Sequence, residues 1–312
     1  MSANLPTLRQ LQFLIVLAEH GNFSRAAEAA HVTQPTLSAG IKELELSLGT
    51  TLVERGARGA SLTPAGEAAA ARARTILTEA EDLVHAARAA GEPLAGQFRL
   101  GVIPTIAPFL LPRVLPALRD EFGQLELFLR EDLTPRLVDA LKERRLDAAL
   151  IALPYEAAGI ETRAIAMDEF LFACSPDHPL ADASPLDPAM LADESLLLLE
   201  DGHCLRDHAL SVCSASHSAA GPGSGRADAA RSDFAATSLH TLVQMVRSGL
   251  GATLLPRLAV DGGVAEGLGL VIKPFNPPVA GREIGMAWRR GSARADEAAK
   301  LSEAVRAALA PR

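Results

Sequence analysis

From Leu8 to Ala90 apolar residues recur at helical spacing, and beyond Phe98 they gather into short runs. Leu8, Leu11, Ile15 and Ala18 step by 3, 4 and 3, which predicts a first helix with one buried stripe. Ser24 is placed to cap a second helix running through Arg25 to Ala30. After the turn His31-Val32, Thr33 is placed to cap a third helix, with Pro35 in its first turn, where a missing N–H is harmless. Leu37, Ile41, Leu44 and Leu48, spaced 4, 3 and 4, predict the buried face of that helix. Pro35, Ala39 and Lys42 lie opposite, with Thr36 and Ser38 at the margins. A short helix, a tight turn and a second helix with a small polar outer face predict a helix-turn-helix. Thr50 to Ser61, with Arg55, Arg58, Gly56, Ala57 and Gly59, reads as a basic hairpin, or wing.

A long helix is expected from Pro64 to Ala90, capped by Thr63. Ala69, Ala73, Ile76, Ala80, Leu83, Ala87 and Ala90 alternate steps of 4 and 3 and form a heptad seam. Such a helix would span ~40 Å, and its small seam suits close pairing with a second copy. Gly91, Pro93 and Gly96 then mark a linker. Strands are predicted at Leu100 to Ile103, Leu125 to Leu129, Ala148 to Leu153, Phe170 to Cys174, Leu196 to Leu199, Thr253 to Leu255 and Ile284 to Trp288. Helical stretches such as Pro135 to Arg145 and Ser238 to Arg247 separate several of them, so mostly parallel α/β sheets are expected. Ser214 to Asp233, rich in Ala, Gly and Ser, reads as a mobile loop.

Composition narrows the functional classes. A chain of 312 residues with 48% apolar and 22% charged residues has room for two or three folded domains. No apolar run approaches the roughly 20 residues of a membrane span. Leu11 to Ala18 has only Arg9 ahead of it and no small-residue cleavage site, so a cytoplasmic protein is expected. Three cysteines do not make a structural disulfide framework there, and a buried core thiol is the expected role of Cys174. A net charge of −8 argues against non-specific coating of nucleic acid, yet a groove contact needs only a few well-placed cations. Over residues 1–62, Arg9, Arg25, Lys42, Arg55 and Arg58 balance Glu19, Glu28, Glu43, Glu45 and Glu54, five against five.

The ordered set Ala26-Ala27, Val32-Thr33-Gln34-Pro35-Thr36-Leu37-Ser38, Ile41, Leu44-Glu45, Leu48-Gly49, Glu54-Arg55 and Leu62-Thr63-Pro64-Ala65-Gly66 resembles the N-terminal signature of the LysR-type transcription regulators. The resemblance implies an α+β multidomain chain: a winged helix-turn-helix over residues 1–62, a dimerising linker helix over 63–92, and an effector domain over 97–312 shaped like periplasmic binding proteins. Its two α/β subdomains would take residues 97–167 with 272–312, and 168–271. In the DNA module Gln34, Thr36 and Ser38 can exchange hydrogen bonds with base edges or phosphates, and Pro35 and Ala39 can touch a thymine methyl. Lys42 supplies a phosphate cation, and Arg55 and Arg58 suit phosphate or minor-groove contact. Gly40 departs from the longer polar side chains frequent there and should cost ~1 kcal/mol of helix stability.

A second passage, Leu199-Glu200-Asp201-Gly202-His203-Cys204-Leu205-Arg206-Asp207 with Cys213 nine residues beyond Cys204, resembles the peroxide-sensing members of that family, as does Ala236-Thr237-Ser238-Leu239. That resemblance implies that Cys204 reacts with hydrogen peroxide and that Cys213 resolves the product to a disulfide. It also implies a peroxide pocket of Thr105, Thr134, His203 and Arg282, in which the threonines orient peroxide, Arg282 stabilises thiolate or departing hydroxide, and His203 donates a hydrogen bond. Thr105 and Thr134 equally fit helix N-caps, and Arg282 a surface strand. His208 and His217 read as solvated, and Arg206 as the partner of an acid. If residues 204–213 are mainly helical, nine rises of 1.5 Å separate the two Cα atoms by ~13 Å, whereas a disulfide needs about 4.4–6.8 Å. Oxidation would then have to unwind the segment.

The resulting expectation is a homodimer assembling to a homotetramer on promoter DNA, with RNA polymerase as a further candidate partner. It would activate or repress oxidative-stress genes without cofactor, metal or enzymatic turnover. The competing reading keeps the family and places a small organic anion between the effector subdomains, with incidental cysteines. An exported solute-binding protein and a thiol peroxidase are disfavoured, the first by the helix-turn-helix and the second by the lack of a CxxC or other recycling motif.

Overall fold

The computed structural model describes residues 5–56, 59–89, 94–191, 194, 196–211, 235–279 and 281–309. They form two compact units, Met1–Glu92 and Pro93–Arg312.

The first unit is a winged helix-turn-helix. Helices α1 (Leu8–His20), α2 (Phe23–Ala29) and α3 (Gln34–Leu48) precede a hairpin of β1 (Val53–Gly56) and β2 (Gly59–Leu62), followed by α4 (Pro64–Ala89). Thr7 closes a capping box at α1, and Thr33 caps α3 by accepting from the Thr36 N–H. At α2 the cap is Asn22, whose Oδ1 accepts from both Ser24 and Arg25 amides, so the expected cap at Ser24 moves two residues back. The stripe of α1 is also rotated from expectation: Leu11, Phe13, Leu14 and Leu17 are buried, while Leu8 is exposed. This helix is apolar over much of its circumference, so spacing alone does not select the inward face.

Leu37, Ile41 and Leu44 are buried as the spacing of α3 predicts, but Leu48, in the last helical turn, is 44% exposed. Gly40 now has a physical reason. A Cβ there would lie 2.6 Å from Cδ2 of the buried Phe13 ring, so the glycine is what lets α1 and α3 close together. Glu45 ties α3 to the wing, its Oε1 accepting from the Leu52 and Val53 amides at 2.8 and 3.1 Å. Gly66 serves the start of α4, where a Cβ would sit 2.0 Å from the Leu52 carbonyl oxygen. The 26-residue α4 packs Ala70 and Ala73 on the unit's own core, while further along Ile76, Leu83 and Val84 are exposed.

Among the described residues the second unit contains a five-stranded, a three-stranded and a two-stranded sheet. The five-stranded sheet has the order β4 (Leu125–Glu131), β3 (Gly96–Val102), β5 (Ala148–Leu153), β12 (Arg282–Arg289), β6 (Ile160–Asp168). Its helices include α5 (Ala107–Glu121), α6 (Thr134–Lys142) and α10 (Ala295–Leu309). The three-stranded sheet has the order β10 (Thr253–Pro256), β7 (Phe170–Cys174), β11 (Val271–Lys273), with α8 (Leu239–Arg247) and α9 (Arg257–Asp261) packed on it. Residues 204–211 form α7, preceded by β8 (Leu198–Leu199), which pairs with β9 (Ala235–Ala236).

The expectation of mostly parallel strands is not met. β3 pairs parallel with β4 and β5, but β12 is antiparallel to β5 and β6, and β7 is antiparallel to β10 and β11. The chain leaves the five-stranded sheet after β6 and re-enters it as β12, so the returning strand runs against its neighbours. The unpredicted β6 buries only Ile160, Ile165 and Asp168 among half-buried and exposed residues, and β11 is only half-buried. Pro112 and Pro116 lie inside α5, a helix their presence hides from sequence patterning.

Gly40→Ala tests the α1–α3 contact. Helix propensity alone favours alanine by about 1 kcal/mol, but overpacking against Phe13 should dominate and cost about 1–3 kcal/mol. The urea-unfolding midpoint of the first unit should fall, and should fall less when Gly40→Ala is made in a Phe13→Leu background.

Candidate functional site

The second unit brings most of the predicted pocket residues to one place. Arg282 opens β12 and is fully buried. Its Nη1 donates to Thr105 Oγ1 at 2.6 Å, its Nη2 to the Thr105 carbonyl at 2.9 Å, and its Nε to Asp168 Oδ2 at 3.0 Å. Asp168 ends β6, and its other oxygen accepts from the Leu258 N–H of α9 at 2.8 Å. Gly281 permits the approach, since a Cβ there would lie 2.3 Å from the Asp168 carbonyl oxygen. Arg282 is therefore no surface strand residue. Neither threonine caps a helix: the N-caps of α5 and α6 are Ile106 and Leu133, and Thr134 lies one position inside α6.

Cys204 heads α7 as a free, partly buried thiol. Burial pushes its pKa up. The Arg282 charge, the Thr134 hydroxyl and the backbone amides of Leu205 and Ala152 all pull the other way without prevailing. Thr134 Oγ1 is buried and makes no well-formed hydrogen bond, which leaves it available to a thiolate, a stronger acceptor than the thiol. The site is a thiol held protonated at rest, with the apparatus for stabilising its anion already assembled.

His203 lines a cleft of about 390 Å³ with Pro104, Phe109, Leu133, Glu200 and Ser238. Burial lowers its pKa, opposed by Glu200. The stacked rings of Phe109 and His240, 5.7 Å apart, join α5 to α8 beside this cleft. Arg206 pairs with Asp201 at 3.0 Å, as expected of an arginine near acids. His208, expected in solvent, is instead half-buried on α7 and feels Arg282 and the Leu153 carbonyl. Cys174 is fully buried in β7. Cys213, His217 and the segment from Ser214 to Asp233 lie outside the described residues.

In the first unit Gln34, Pro35, Thr36, Ala39 and Lys42 are exposed along α3, with Ser38 half-buried. Thr36 Oγ1 is 2.8 Å from Thr33 Oγ1, and Gln34 Oε1 accepts from Ser24 at 3.4 Å, so both side chains are steadied by neighbours. Arg55 lies in β1, and its side chain and the whole of Arg58 fall outside the described residues. Among the described residues no group of three or more His, Cys, Asp or Glu side chains is placed to hold a metal, and no helix is long and apolar enough to cross a membrane.

Residues 8–67 match the model for bacterial regulatory helix-turn-helix proteins of the lysR family, and residues 91–310 match the LysR substrate binding domain. The chain belongs to the LysR family. This LysR-family chain is 41% identical over 304 residues to a probable hydrogen peroxide-inducible genes activator of Streptomyces viridosporus, covering 97% of this chain and 95% of that one. It is 40% identical over 302 residues to the DNA-binding transcriptional dual regulator OxyR of Escherichia coli K12, with the same coverage. Among solved structures it is similar to a full-length OxyR variant of Pseudomonas aeruginosa, with TM-score 0.74 and 35% identity, covering 96% of this chain and 94% of that one.

The residues that sequence reasoning missed are Asp168 and His208. Asp168 is remote from Arg282 in sequence, and no local pattern marks it. His208 carried a usable signal, standing one helical turn beyond Cys204 and on the same face.

Two outcomes follow from the buried pair. Arg282→Met removes the partner of buried Asp168 and should cost about 3–5 kcal/mol, read by urea unfolding, with Asp168→Asn in the same chain returning part of the loss. The Cys204 thiolate, followed as the difference in ultraviolet absorbance between the native chain and Cys204→Ser, should titrate above the ordinary thiol range and higher still in Arg282→Met. Because the folded value is raised, the contribution of this thiol to stability is complete below the unfolded pKa. It is lost as pH climbs through the folded one.

Proposed function

We propose that this LysR-family regulator senses hydrogen peroxide through Cys204. Peroxide oxidises the thiol to a sulfenic acid, and Cys213 condenses with it to a disulfide. The observation that carries this reading is the convergence of Arg282, Thr134 and two backbone amides on one thiol at the head of a short helix. The names of the relatives agree with it. Residues 204–211 are helical, and in this reading closing the Cys204–Cys213 bond unwinds that helix and converts sulfur chemistry into a change of shape.

In this reading α3 presents Gln34, Pro35, Thr36, Ser38 and Lys42 to promoter DNA, assisted by Arg55 and Arg58 of the wing. The module spans residues 1–62, the pairing helix 63–92 and the redox-sensing region 97–312. The exposed Ile76, Leu83 and Val84 of α4 support pairing with a second copy, since large apolar side chains on a long helix favour burial. Dimers pairing to a tetramer would span an extended promoter. The protein acts in the cytoplasm as a regulator of oxidative-stress genes, not as an enzyme.

A cleft beside His203 favours the second reading, a regulator answering a small ligand between its subdomains. Its lining includes Glu131, Asp132 and Glu200, which weigh against an organic anion.

A non-reducing peptide map after stoichiometric peroxide should show Cys204 linked to Cys213 with Cys174 free. Cys204→Ser should abolish peroxide-dependent transcription. A different partner for Cys204, or an intact response in the variant, overturns the thiol mechanism, and the intact response favours the bound ligand.

A further inference from the structure

Three observations single out His208. It stands four residues beyond Cys204 on α7, and side chains at that interval lie on one face about 5–6 Å apart. Both side chains meet the end of β5, Cys204 at the Ala152 amide and His208 at the Leu153 carbonyl. Finally, His208 Nδ1 is buried and has no hydrogen-bond partner. With the proton on Nε2, Nδ1 carries a bare lone pair. A buried nitrogen without a partner is costly and rare, and this one lies a helical turn from a thiol that rests protonated.

We propose that His208 is the proton acceptor for Cys204, taking the thiol proton on Nδ1 as the sulfur attacks. The inference rests on the reading of Cys204 as a peroxide-reactive thiol. In the step, the sulfur lone pair forms an S–O bond to one peroxide oxygen while the O–O bond breaks. Two electrons pass from sulfur to peroxide. The thiol proton goes to Nδ1 and then to the departing hydroxide, which leaves as water, so the products are Cys204 sulfenic acid and water.

The charged and titratable groups facing His208 set its state. Arg282 of β12 and Asp207 of its own helix oppose one another, Cys204 lies a turn away, and burial and Arg282 together keep the imidazole neutral below its ordinary pKa. A neutral ring is the form that can accept a proton. Arg282 thus acts twice in the same direction, favouring the thiolate electrostatically and keeping the acceptor uncharged.

The test is the pH–rate profile for loss of the Cys204 thiol in the full chain under hydrogen peroxide, followed by mass spectrometry. With His208 as acceptor, the rate should be flat from neutral to mildly alkaline pH and fall about tenfold per unit once the imidazole is protonated. In His208→Gln, whose amide can still donate to Leu153, the rate at neutral pH should drop about a hundredfold. The profile should then climb about tenfold per unit, tracking thiolate alone. A climbing profile in the native chain, or a flat one in His208→Gln, overturns the assignment. His208→Asn replaces the glutamine variant if that fails to fold, and the native profile decides without either. If peroxide leaves Cys204 untouched, the peroxide reading fails, and alkylation of the same thiol by iodoacetamide gives the same two profiles and still decides the role of His208.

Discussion

The buried guanidinium of Arg282 is the constraint on which the second unit of this molecule depends. A cation removed from water must be met by fixed acceptors, because the desolvation cost otherwise exceeds any gain. Here the acceptors come from separated stretches of chain: the segment after β3 through Thr105, and the end of β6 through Asp168. Asp168 in turn reaches the first residues of α9 through the Leu258 amide. One charge therefore links the rim of the five-stranded sheet to the three-stranded one, and what remains of its field falls on Cys204.

That thiol is governed by two opposed effects of the same burial. Loss of solvent disfavours the thiolate, and the low polarity that causes this also strengthens the pull of Arg282 and of the amides at Leu205 and Ala152. Desolvation prevails, so the resting sulfur is protonated. The helix it heads spans only residues 204–211, and isolated helices of that length are marginal in water. Leu205 and Ala209, buried against the core, hold it in place. A short helix held by few side chains is a fitting element for chemistry at its first residue to disturb.

The first unit is organised by close approach, not by charge. Gly40 admits the Phe13 ring, Gly66 admits the Leu52 carbonyl, and Glu45 carries two wing amides on one oxygen. These contacts set the recognition helix against its neighbours with a rigid back and an exposed, lightly charged front. Five acids balance five bases over residues 1–62, so favourable contact with DNA depends on where the cations stand, and pairing of two copies would double every contact.

Much of the local structure was legible in residue order alone. The caps Thr33 and Thr63, the stripe Leu37, Ile41, Leu44, and the strands Ala148–Leu153 and Phe170–Cys174 each follow from interactions within a few residues of one another. The family signature from Ala26 to Gly66 and the passage around Cys204 were equally local, and so readable. What sequence could not settle is whatever depends on residues far apart in the chain. The direction of β12, the inward face of the largely apolar α1, the fit of Gly40 to Phe13, the pairing of Arg282 with Asp168 and the unsatisfied nitrogen of His208 all arise only when distant segments meet. Short-range periodicity and capping are written into neighbouring side chains, whereas burial and electrostatic partnership are properties of the assembled fold.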